Sequence, residues 1–239
     1  MTSPTAIIIP ALKRHTATVI VGHGLGDSGA GWTFLAENWR LRSKFDEVSF
    51  IFPNAPFIPI TCNLGMRMPG WYDIKSFDDL ASREEDERGI MRSLSYFHSL
   101  IDTEISKGIP SNRIVIGGFS QGGAMSLISG ITCPHKLGGI FGLSCYLLLQ
   151  SKLKESVPAN NPNKDTPVFM GHGDADAVVL HKWGKQSAEE LQKGGWNVDF
   201  RTYKGLAHSA TPEEIDDLEA YLNKQIPPLG DEKKPEESL

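Results

Sequence analysis

The chain has 239 residues, of which 40% are hydrophobic and 22% are charged, as is usual for a globular protein with a sizeable buried core. It contains 24 lysine and arginine residues and 29 acidic residues. The resulting net charge of −5 argues against nucleic acid and anionic membranes as partners. The three cysteines lack metal-ligand spacing and favour a reducing compartment. We therefore expect a cytoplasmic protein, with the nucleus as a second location.

One domain is expected over residues 1–226, because α/β folds commonly reach this length around a single core. The apolar run at residues 6–9 is too short for the core of a signal peptide, and no run of eighteen apolar residues predicts a membrane-spanning helix. Residues 227–239 are rich in charge and proline and contain no aromatic side chain. This composition predicts a disordered tail.

Short apolar runs typical of buried strands alternate with amphipathic stretches along the chain. The predicted strands lie at residues 17–21, 48–52, 113–117, 139–143, 167–171 and 197–203. Their nearly continuous hydrophobic character suits strands that are covered on both faces, as in a parallel sheet.

Two helices have clear start signals. The first is predicted to follow Ser82, with Glu85 completing a capping box and an apolar stripe running from Ile90 to Ile105. The second is predicted to follow Thr211, which opens another capping box. The alternation predicts an α/β fold with an open, mostly parallel sheet and helices on both faces. Because such sheets bind ligands at the carboxyl ends of their strands, functional residues are expected in the strand-to-helix loops.

The sequence GFSQG at residues 118–122 follows one predicted strand and precedes a segment that can continue as a helix. It matches the G-x-S-x-G pattern, in which a tight turn exposes a serine hydroxyl at a helix N-terminus. This placement predicts that Ser120 is a nucleophile. The alternative is a glycine-rich turn with an idle serine.

A serine nucleophile needs a general base and a carboxylate that orients the base. His208 lies in the loop between the last predicted strand and the last helix, at the expected carboxyl end of the strands. Asp174 and Asp176 share another strand-end loop with His172, which we expect to bond to the backbone. The order Ser120, Asp176, His208 fits the order of α/β-hydrolases, but local sequence does not separate Asp176 from Asp174.

The glycine-rich segment at residues 22–32 has neither the dinucleotide-binding pattern nor a P-loop. Such a segment after the first strand of a hydrolase sheet can direct a backbone N–H at the oxyanion of a tetrahedral intermediate. The second donor is then the residue after the nucleophile, Gln121. The alternative is a merely tight turn.

These residues resemble the acyl-protein thioesterase and lysophospholipase (carboxylesterase) family of α/β-hydrolases. The matching segments are HGLGDSGAGW (23–32), PNAP (53–56), MPGWYDI (68–74), GIPSNRIVIGGFSQGG (108–123) and HGDADAVV (172–179). The resemblance implies an α/β-hydrolase fold. It also implies the site residues, which are the nucleophile Ser120, the base His208, the orienting carboxylate Asp176, and the backbone oxyanion donors of Leu25 and Gln121.

The chain departs from the family pattern at three positions. Ala177 and Leu180 stand where members often carry proline, and Tyr146 stands where they often carry tryptophan. The changes at Ala177 and Leu180 bear on the loop that holds the carboxylate, and the change at Tyr146 bears on the shape of an acyl pocket.

Flexible apolar side chains suit an acyl chain of variable length. We expect Leu64, Met66, Met68 and Trp71 to line an acyl-binding groove, with core packing beneath long loops as the alternative. The leucines at 147–149 are weaker candidates for the same role.

The resulting hypothesis is a serine hydrolase that cleaves fatty acyl thioesters, in particular S-palmitoyl-cysteine on proteins, through an acyl-enzyme. No metal or organic cofactor is expected. The expected partners are S-acylated proteins and, as a second class, lysophospholipids, with no more than transient membrane contact. One alternative is a carboxylesterase or lysophospholipase that acts on oxyesters, and a remote one is a lipid-binding module without turnover.

Overall fold

Nine strands and six α-helices form within residues 5–76 and 84–230, the part of the chain that the computed structural model describes. The strands are β1 (Ile7–Ile9), β2 (Ala17–Gly22), β3 (Val48–Phe52), β4 (Phe57–Ile60), β5 (Met66–Pro69), β6 (Ile114–Phe119), β7 (Gly139–Leu143), β8 (Val168–Gly173) and β9 (Val198–Tyr203). The helices are α1 (Phe34–Leu41), α2 (Glu87–Ser106), α3 (Gln121–Thr132), α4 (Leu153–Ser156), α5 (His181–Lys193) and α6 (Pro212–Gln225).

Seven of these strands form one sheet in the order β1-β3-β2-β6-β7-β8-β9. All neighbouring pairs are parallel except β1 and β3, which are antiparallel. Successive residues point to opposite faces, so Val19 and Phe50 belong to one apolar cluster whereas Ile20 and Ile51 belong to another. The predicted open, mostly parallel sheet with two buried faces is confirmed.

Helices cover both faces of the sheet, as predicted. Helices α2, α3 and α5 contribute Phe97, Ile128 and Leu191 to the apolar cluster on one face. Helices α1 and α6 contribute Trp39 and Leu222 to the cluster on the other face. The carboxyl ends of the parallel strands remain uncovered between these layers, which leaves room there for a site.

The capping predictions have different outcomes at the two helices. Asp86 caps α2 by accepting a hydrogen bond from the N–H of Gly89 at 3.0 Å. Ser82 lies outside the described residues, and the prediction that Glu85 caps the helix is wrong, because its carboxylate instead accepts the N–H of Leu149. Thr211 caps α6 as predicted, although the bond from the N–H of Glu214 is long at 3.4 Å.

Several elements went unrecognised in the sequence. The apolar run at residues 6–9 contains β1, the antiparallel edge strand, and charged α5 was not identified as a helix. Strands β4 and β5 form a separate antiparallel hairpin between β3 and α2. Each strand of the hairpin has only four residues and each contains a proline, so the segment lacks a clear period of two.

Residues at the start of the expected tail bond to the domain. The N–H groups of Leu229 and Gly230 donate to the carboxylate of Glu47 at 2.9 and 2.8 Å. Residues 231–239 lie outside the described part of the chain. The disordered tail and the domain boundary at residue 226 therefore stay predictions.

Glu214, in the first turn of α6, is a fully buried carboxyl group beneath β8. Neither of its side-chain oxygens has a hydrogen-bond partner among the described residues. Burial, assisted by the nearby charge of Asp217, raises the pKa of Glu214 to about 8. The group is therefore mostly a neutral acid at physiological pH.

We expect Glu214→Gln to flatten the pH dependence of stability. The folded-state pKa of about 8 exceeds the ordinary value of 4.5, so the folded protein holds this proton more tightly than the unfolded chain. Stability should therefore fall as pH rises from 4.5 towards 8. The slope should not exceed about 1.4 kcal/mol per pH unit. The amide cannot ionise. The variant should therefore become more stable relative to the wild type as pH rises from 5 to 8, even if the substitution itself lowers the free energy of unfolding by a constant amount.

Urea unfolding at both pH values measures this gain. Glu213→Gln, on the exposed side of the same helical turn, is the matched control and should track the wild type. If Glu214→Gln also tracked the wild type, Glu214 would not carry the proton assigned to it.

Candidate active site

The turn from β6 to α3 places Ser120 in a conformation that is rare for serine. Its backbone has φ = 53° and ψ = −122°, and α3 begins at the next residue, Gln121. The N–H of Ser120 donates to the carbonyl of Leu143 on β7 at 2.9 Å, which fixes the turn against the sheet. Strained backbone of this kind is characteristic of a nucleophile elbow, where it exposes the side chain above the strands.

Glycines on either side of Ser120 permit a close approach of two chain segments. A Cβ at Gly118 or Gly122 would overlap the carbonyl oxygen of Gly22 at the end of β2. Because the obstructing atom belongs to the backbone, it cannot turn aside as a flexible side chain would. The two outer glycines of the G-x-S-x-G pattern are thus required by the packing of β2 against the elbow.

Ser120, His208 and Asp176 form one hydrogen-bonded chain. The Nε2 atom of His208 lies 2.9 Å from Ser120 Oγ, and Nδ1 lies 2.7 Å from Asp176 Oδ2. An ionised carboxylate only accepts hydrogen bonds, so Nδ1 carries the proton and Nε2 accepts from the serine hydroxyl. The structure therefore brings together three residues that are separated by up to 88 positions in the chain.

Asp176 is buried, and both of its carboxylate oxygens accept hydrogen bonds. Its Oδ1 accepts the N–H groups of Val178 and Val179, both at 2.9 Å. Burial by itself would raise the pKa of Asp176, but the adjacent His172 imidazole and the hydrogen bonds from His208 and the Val178 backbone together hold that pKa well below its usual range. A carboxylate that stays ionised can orient an imidazole and stabilise its cation.

Asp174 and His172 have other contacts. Asp174 Oδ1 accepts the N–H of Gly205 at 2.6 Å and so joins two loops. His172 Nε2 donates to the carbonyl of Val179 at 2.8 Å, the backbone bond that the sequence led us to expect, and lies 3.5 Å from Asp176 Oδ2. Of the two carboxylates left open by local sequence, the structure places Asp176 against His208.

Leu25 and Gln121 border the same cavity as Ser120 and His208. Gln121 is the first residue of α3, where backbone N–H groups have no partner within the helix and can face an anion. Its side chain points to other partners: Oε1 accepts the N–H of Trp71 and Nε2 donates to the carbonyl of Tyr72, both at 2.7 Å. The oxyanion role of both backbone N–H groups stays a prediction.

The cavity above Ser120 has a volume of about 270 Å³ and a largely apolar lining. Its aromatic and aliphatic walls come mainly from loops at the carboxyl ends of the strands, and these residues are Leu25, Trp32, Tyr72, Ile74, Phe119, Tyr146, Val178, Val179 and Trp183. The hydroxyl groups of Tyr72 and Tyr146 lie 3.0 Å apart and join two of these loops. This lining suits an apolar substituent next to the serine.

The predicted acyl groove needs correction. Trp71 has no exposed surface and packs edge-on against Phe97 in the core. Its assignment to the groove is therefore wrong, and the alternative of core packing describes it. Leu64, Met66 and Met68 lie on or next to the β4–β5 hairpin, and none of them borders the described cavity. Leu64 and Met66 are exposed to solvent, at 98% and 59% of their surface, as expected for a hairpin that lies apart from the main sheet.

The residues that do line the cavity were missed, although several lie in segments already singled out. Trp32, Tyr72 and Val178 belong to the HGLGDSGAGW, MPGWYDI and HGDADAVV segments. Their proximity in sequence to the predicted site residues Leu25, Trp71 and Asp176 was the available signal. Trp183 lies in α5, which had not been recognised as a helix.

Residues 5–76 and 84–230 contain no cluster of three or more histidine, cysteine, aspartate or glutamate side chains able to hold a metal ion. All three cysteines of the chain are thiols.

Three comparisons place the chain among known proteins. A family model described as phospholipase/carboxylesterase matches residues 3–226. Acyl-protein thioesterase 1 of Emericella nidulans is 58% identical over 94% of this chain and 97% of its own length. Acyl-protein thioesterase 1 of Neurospora crassa is 54% identical over 98% and 96% of the two chains.

A solved structure gives the same result at the level of the fold. The crystal structure of Zea mays acyl-protein thioesterase 2 superposes with a TM-score of 0.83 and 29% identity, over 93% of this chain and 99% of the other. The family match at residues 3–226 spans the sheet and the loops that carry Ser120, Asp176 and His208.

We expect Asp176→Asn to lower the kcat for p-nitrophenyl octanoate hydrolysis by about 10⁴-fold, because an amide no longer favours the required histidine tautomer or stabilises its cation. Asp174→Asn is the matched control, because Asp174 shares the loop but bonds to Gly205. Initial rates of both variants show which carboxylate the reaction depends on, and thermal melts show that both variants are folded. A larger loss for Asp174→Asn would reverse the assignment of the two carboxylates.

Proposed function

Because the chain belongs to the phospholipase/carboxylesterase family of α/β-hydrolases, we propose that it cleaves long-chain acyl thioesters, in particular S-palmitoyl-cysteine on proteins. Membership of this family makes the protein a hydrolase and confirms the predicted α/β-hydrolase fold. The observation that carries the proposal is the hydrogen-bonded chain from Ser120 through His208 to Asp176, next to an apolar cavity. Two relatives named acyl-protein thioesterase 1 support the choice of substrate class.

In the first half of the reaction, His208 Nε2 takes the proton of Ser120 while Oγ attacks the acyl carbonyl carbon. The tetrahedral oxyanion accepts hydrogen bonds from the backbone N–H groups of Leu25 and Gln121. Collapse of this intermediate breaks the bond from carbon to sulfur, and His208 returns its proton to the departing thiolate. The acyl group is then esterified to Ser120.

In the second half of the reaction, water replaces the thiol. His208 takes a proton from water, whose oxygen attacks the acyl carbonyl carbon, and the same two N–H groups hold the new oxyanion. Collapse releases the fatty acid and returns the proton to Ser120. The ionised Asp176 stabilises the His208 cation that forms in each half of the cycle.

The apolar cavity supports an acyl substrate with a long chain. Each methylene removed from water contributes about 0.8 kcal/mol, so several buried methylenes favour a fatty acyl group over acetyl. Ile74, Val178, Val179 and Trp183 provide such a surface beside Ser120. We assign these cavity residues the role that the sequence had given to Leu64, Met66, Met68 and Trp71.

The proposed partners are S-acylated proteins, with lysophospholipids as a second substrate class. A cytoplasmic location, with the nucleus as a second site, is supported by the three cysteine thiols. Within the described ranges, no helix is both long and apolar enough to cross a membrane.

A matched pair of peptides tests the substrate class. One peptide carries S-palmitoyl-cysteine, and the other carries O-palmitoyl-serine at the same position. A thiol with a pKa near 8.5 leaves more readily than an alkoxide, so we expect at least about a tenfold higher kcat/KM for the thioester. Ser120→Ala should abolish turnover of both peptides.

The other outcomes each contradict part of the proposal. Faster cleavage of the oxyester peptide, or of lysophosphatidylcholine, would favour the carboxylesterase or lysophospholipase alternative. Failure to hydrolyse either peptide, together with no labelling of Ser120 by a fluorophosphonate, would favour a lipid-binding module.

A further inference from the structure

His23 is a fully buried histidine that the proposed mechanism does not use. It follows the end of β2 and precedes Gly24 and Leu25, whose peptide borders the cavity beside Ser120. A Cβ built at Gly24 would lie 3.4 Å from the Cβ of Ser120, so this backbone segment is in contact with the nucleophile. The imidazole lies directly behind one of the two proposed oxyanion donors.

The hydrogen bonds of His23 define its protonation. The N–H of Ala55 donates to Nε2 at 3.0 Å, so Nε2 carries no proton. Nδ1 lies 2.7 Å from the carbonyl oxygen of Gly24, which only accepts, so Nδ1 carries the proton. Burial also lowers the pKa of His23, in agreement with a neutral ring. Both ring nitrogens are thus engaged by backbone groups.

The bond to Gly24 has a geometric consequence for Leu25. A trans peptide is planar, and its carbonyl oxygen and N–H point in opposite directions. The imidazole holds the carbonyl of Gly24 towards the interior, so the N–H of Leu25 in the same peptide faces away from the interior, on the side of the cavity. The N–H of Asp27 makes a weaker bond to the same carbonyl, at 3.3 Å.

His23 is itself held by Trp71. The indole Nε1 donates to the carbonyl of His23 at 2.9 Å, and the two ring centroids are 5.1 Å apart. The backbone N–H of Trp71 in turn donates to the side chain of Gln121 at 2.7 Å. Trp71 therefore connects His23, behind the peptide of Leu25, to the residue that supplies the second proposed donor.

We infer that His23 is a positioning residue whose neutral imidazole orients the Gly24–Leu25 peptide, so that the N–H of Leu25 can bind the oxyanion. The inference rests on the proposed serine hydrolase mechanism and names one more residue on which that mechanism depends. A buried histidine with a purely structural role would stabilise the fold without affecting the transition state selectively. The two roles therefore differ in measurable kinetic effects.

Two substitutions separate the two ring nitrogens. His23→Asn places an amide nitrogen near the position of Nδ1 and can still donate to Gly24, but it loses the acceptor for Ala55. His23→Gln reaches the position of Nε2 and can accept from Ala55, but it loses the donor to Gly24. Both variants replace the ring with a smaller amide, so they resemble each other in packing loss and differ in which backbone group they retain.

We expect His23→Gln to lower the kcat for p-nitrophenyl octanoate by about 100-fold with KM within about twofold, since an oxyanion donor acts on the transition state. His23→Asn should retain kcat within about tenfold of the wild type. This ester is used so that the result does not depend on the thioester preference. Equal losses for the two variants, at equal melting temperatures, would overturn the inference.

Inhibitor binding provides an independent readout. Ser120 Oγ adds to the carbonyl carbon of an alkyl trifluoromethyl ketone, its proton passes to His208, and the ketone oxygen becomes an oxyanion. A thioether of the same chain length binds without forming an oxyanion. His23→Gln should weaken the ketone by the same factor as kcat/KM and leave the thioether unchanged, whereas equal weakening of both would indicate a structural role.

If His23→Gln does not fold, His23→Ala replaces it, and the ratio of ketone to thioether affinity should fall at least about tenfold. An unchanged ratio in a folded His23→Ala variant would overturn the inference. Failure of the wild type itself to bind the ketone or hydrolyse the ester would instead contradict the serine hydrolase mechanism, so the two failures are distinguishable.

Discussion

Backbone contact between the end of β2 and the β6–α3 turn is the constraint on which the site depends. The carbonyl of Gly22 lies where a Cβ of Gly118 or Gly122 would be, so the two segments meet without intervening side chains. This contact brings the loop that begins at His23 next to Ser120. Because both segments are continuous with central strands of the sheet, the proposed oxyanion donors are carried by rigid parts of the fold.

Two buried carboxyl groups near the carboxyl ends of the strands show how the environment sets the charge. Asp176 receives hydrogen bonds from two backbone N–H groups and the His208 imidazole, and it is ionised. Glu214 has no donor among the described residues, and burial raises its pKa to about 8. Burial disfavours the charge in both cases, so the hydrogen-bond donors make the difference.

The sequence was sufficient for features that depend on local pattern. Strands β3 and β7 coincide with their predicted bounds, and the G-x-S-x-G turn lies between a strand and a helix as expected. The choice between Asp174 and Asp176 was beyond local sequence, because it depends on which side chain of one loop meets His208 on another. Trp71 was misassigned for a similar reason, since its burial results from contacts with distant residues such as His23 and Phe97.

The departures from the family pattern fall where the hydrogen bonds of the site do not need the changed group. Proline lacks an N–H, and Asp176 takes its backbone bonds from Val178 and Val179, so residues 177 and 180 need not donate to it. Ala177 and Leu180 are therefore compatible with an intact carboxylate site.

Tyr146 belongs to a different part of the molecule, the cavity wall. Its hydroxyl contacts that of Tyr72, and Gln121 holds the carbonyl of Tyr72. Tyr72 lies next to Trp71, whose indole in turn contacts His23. The wall of the cavity and the support of the proposed oxyanion site thus share one buried segment, residues 71 and 72. A change at Tyr146 therefore bears on the shape of the cavity and, through Tyr72, on the segment that supports the proposed oxyanion donors.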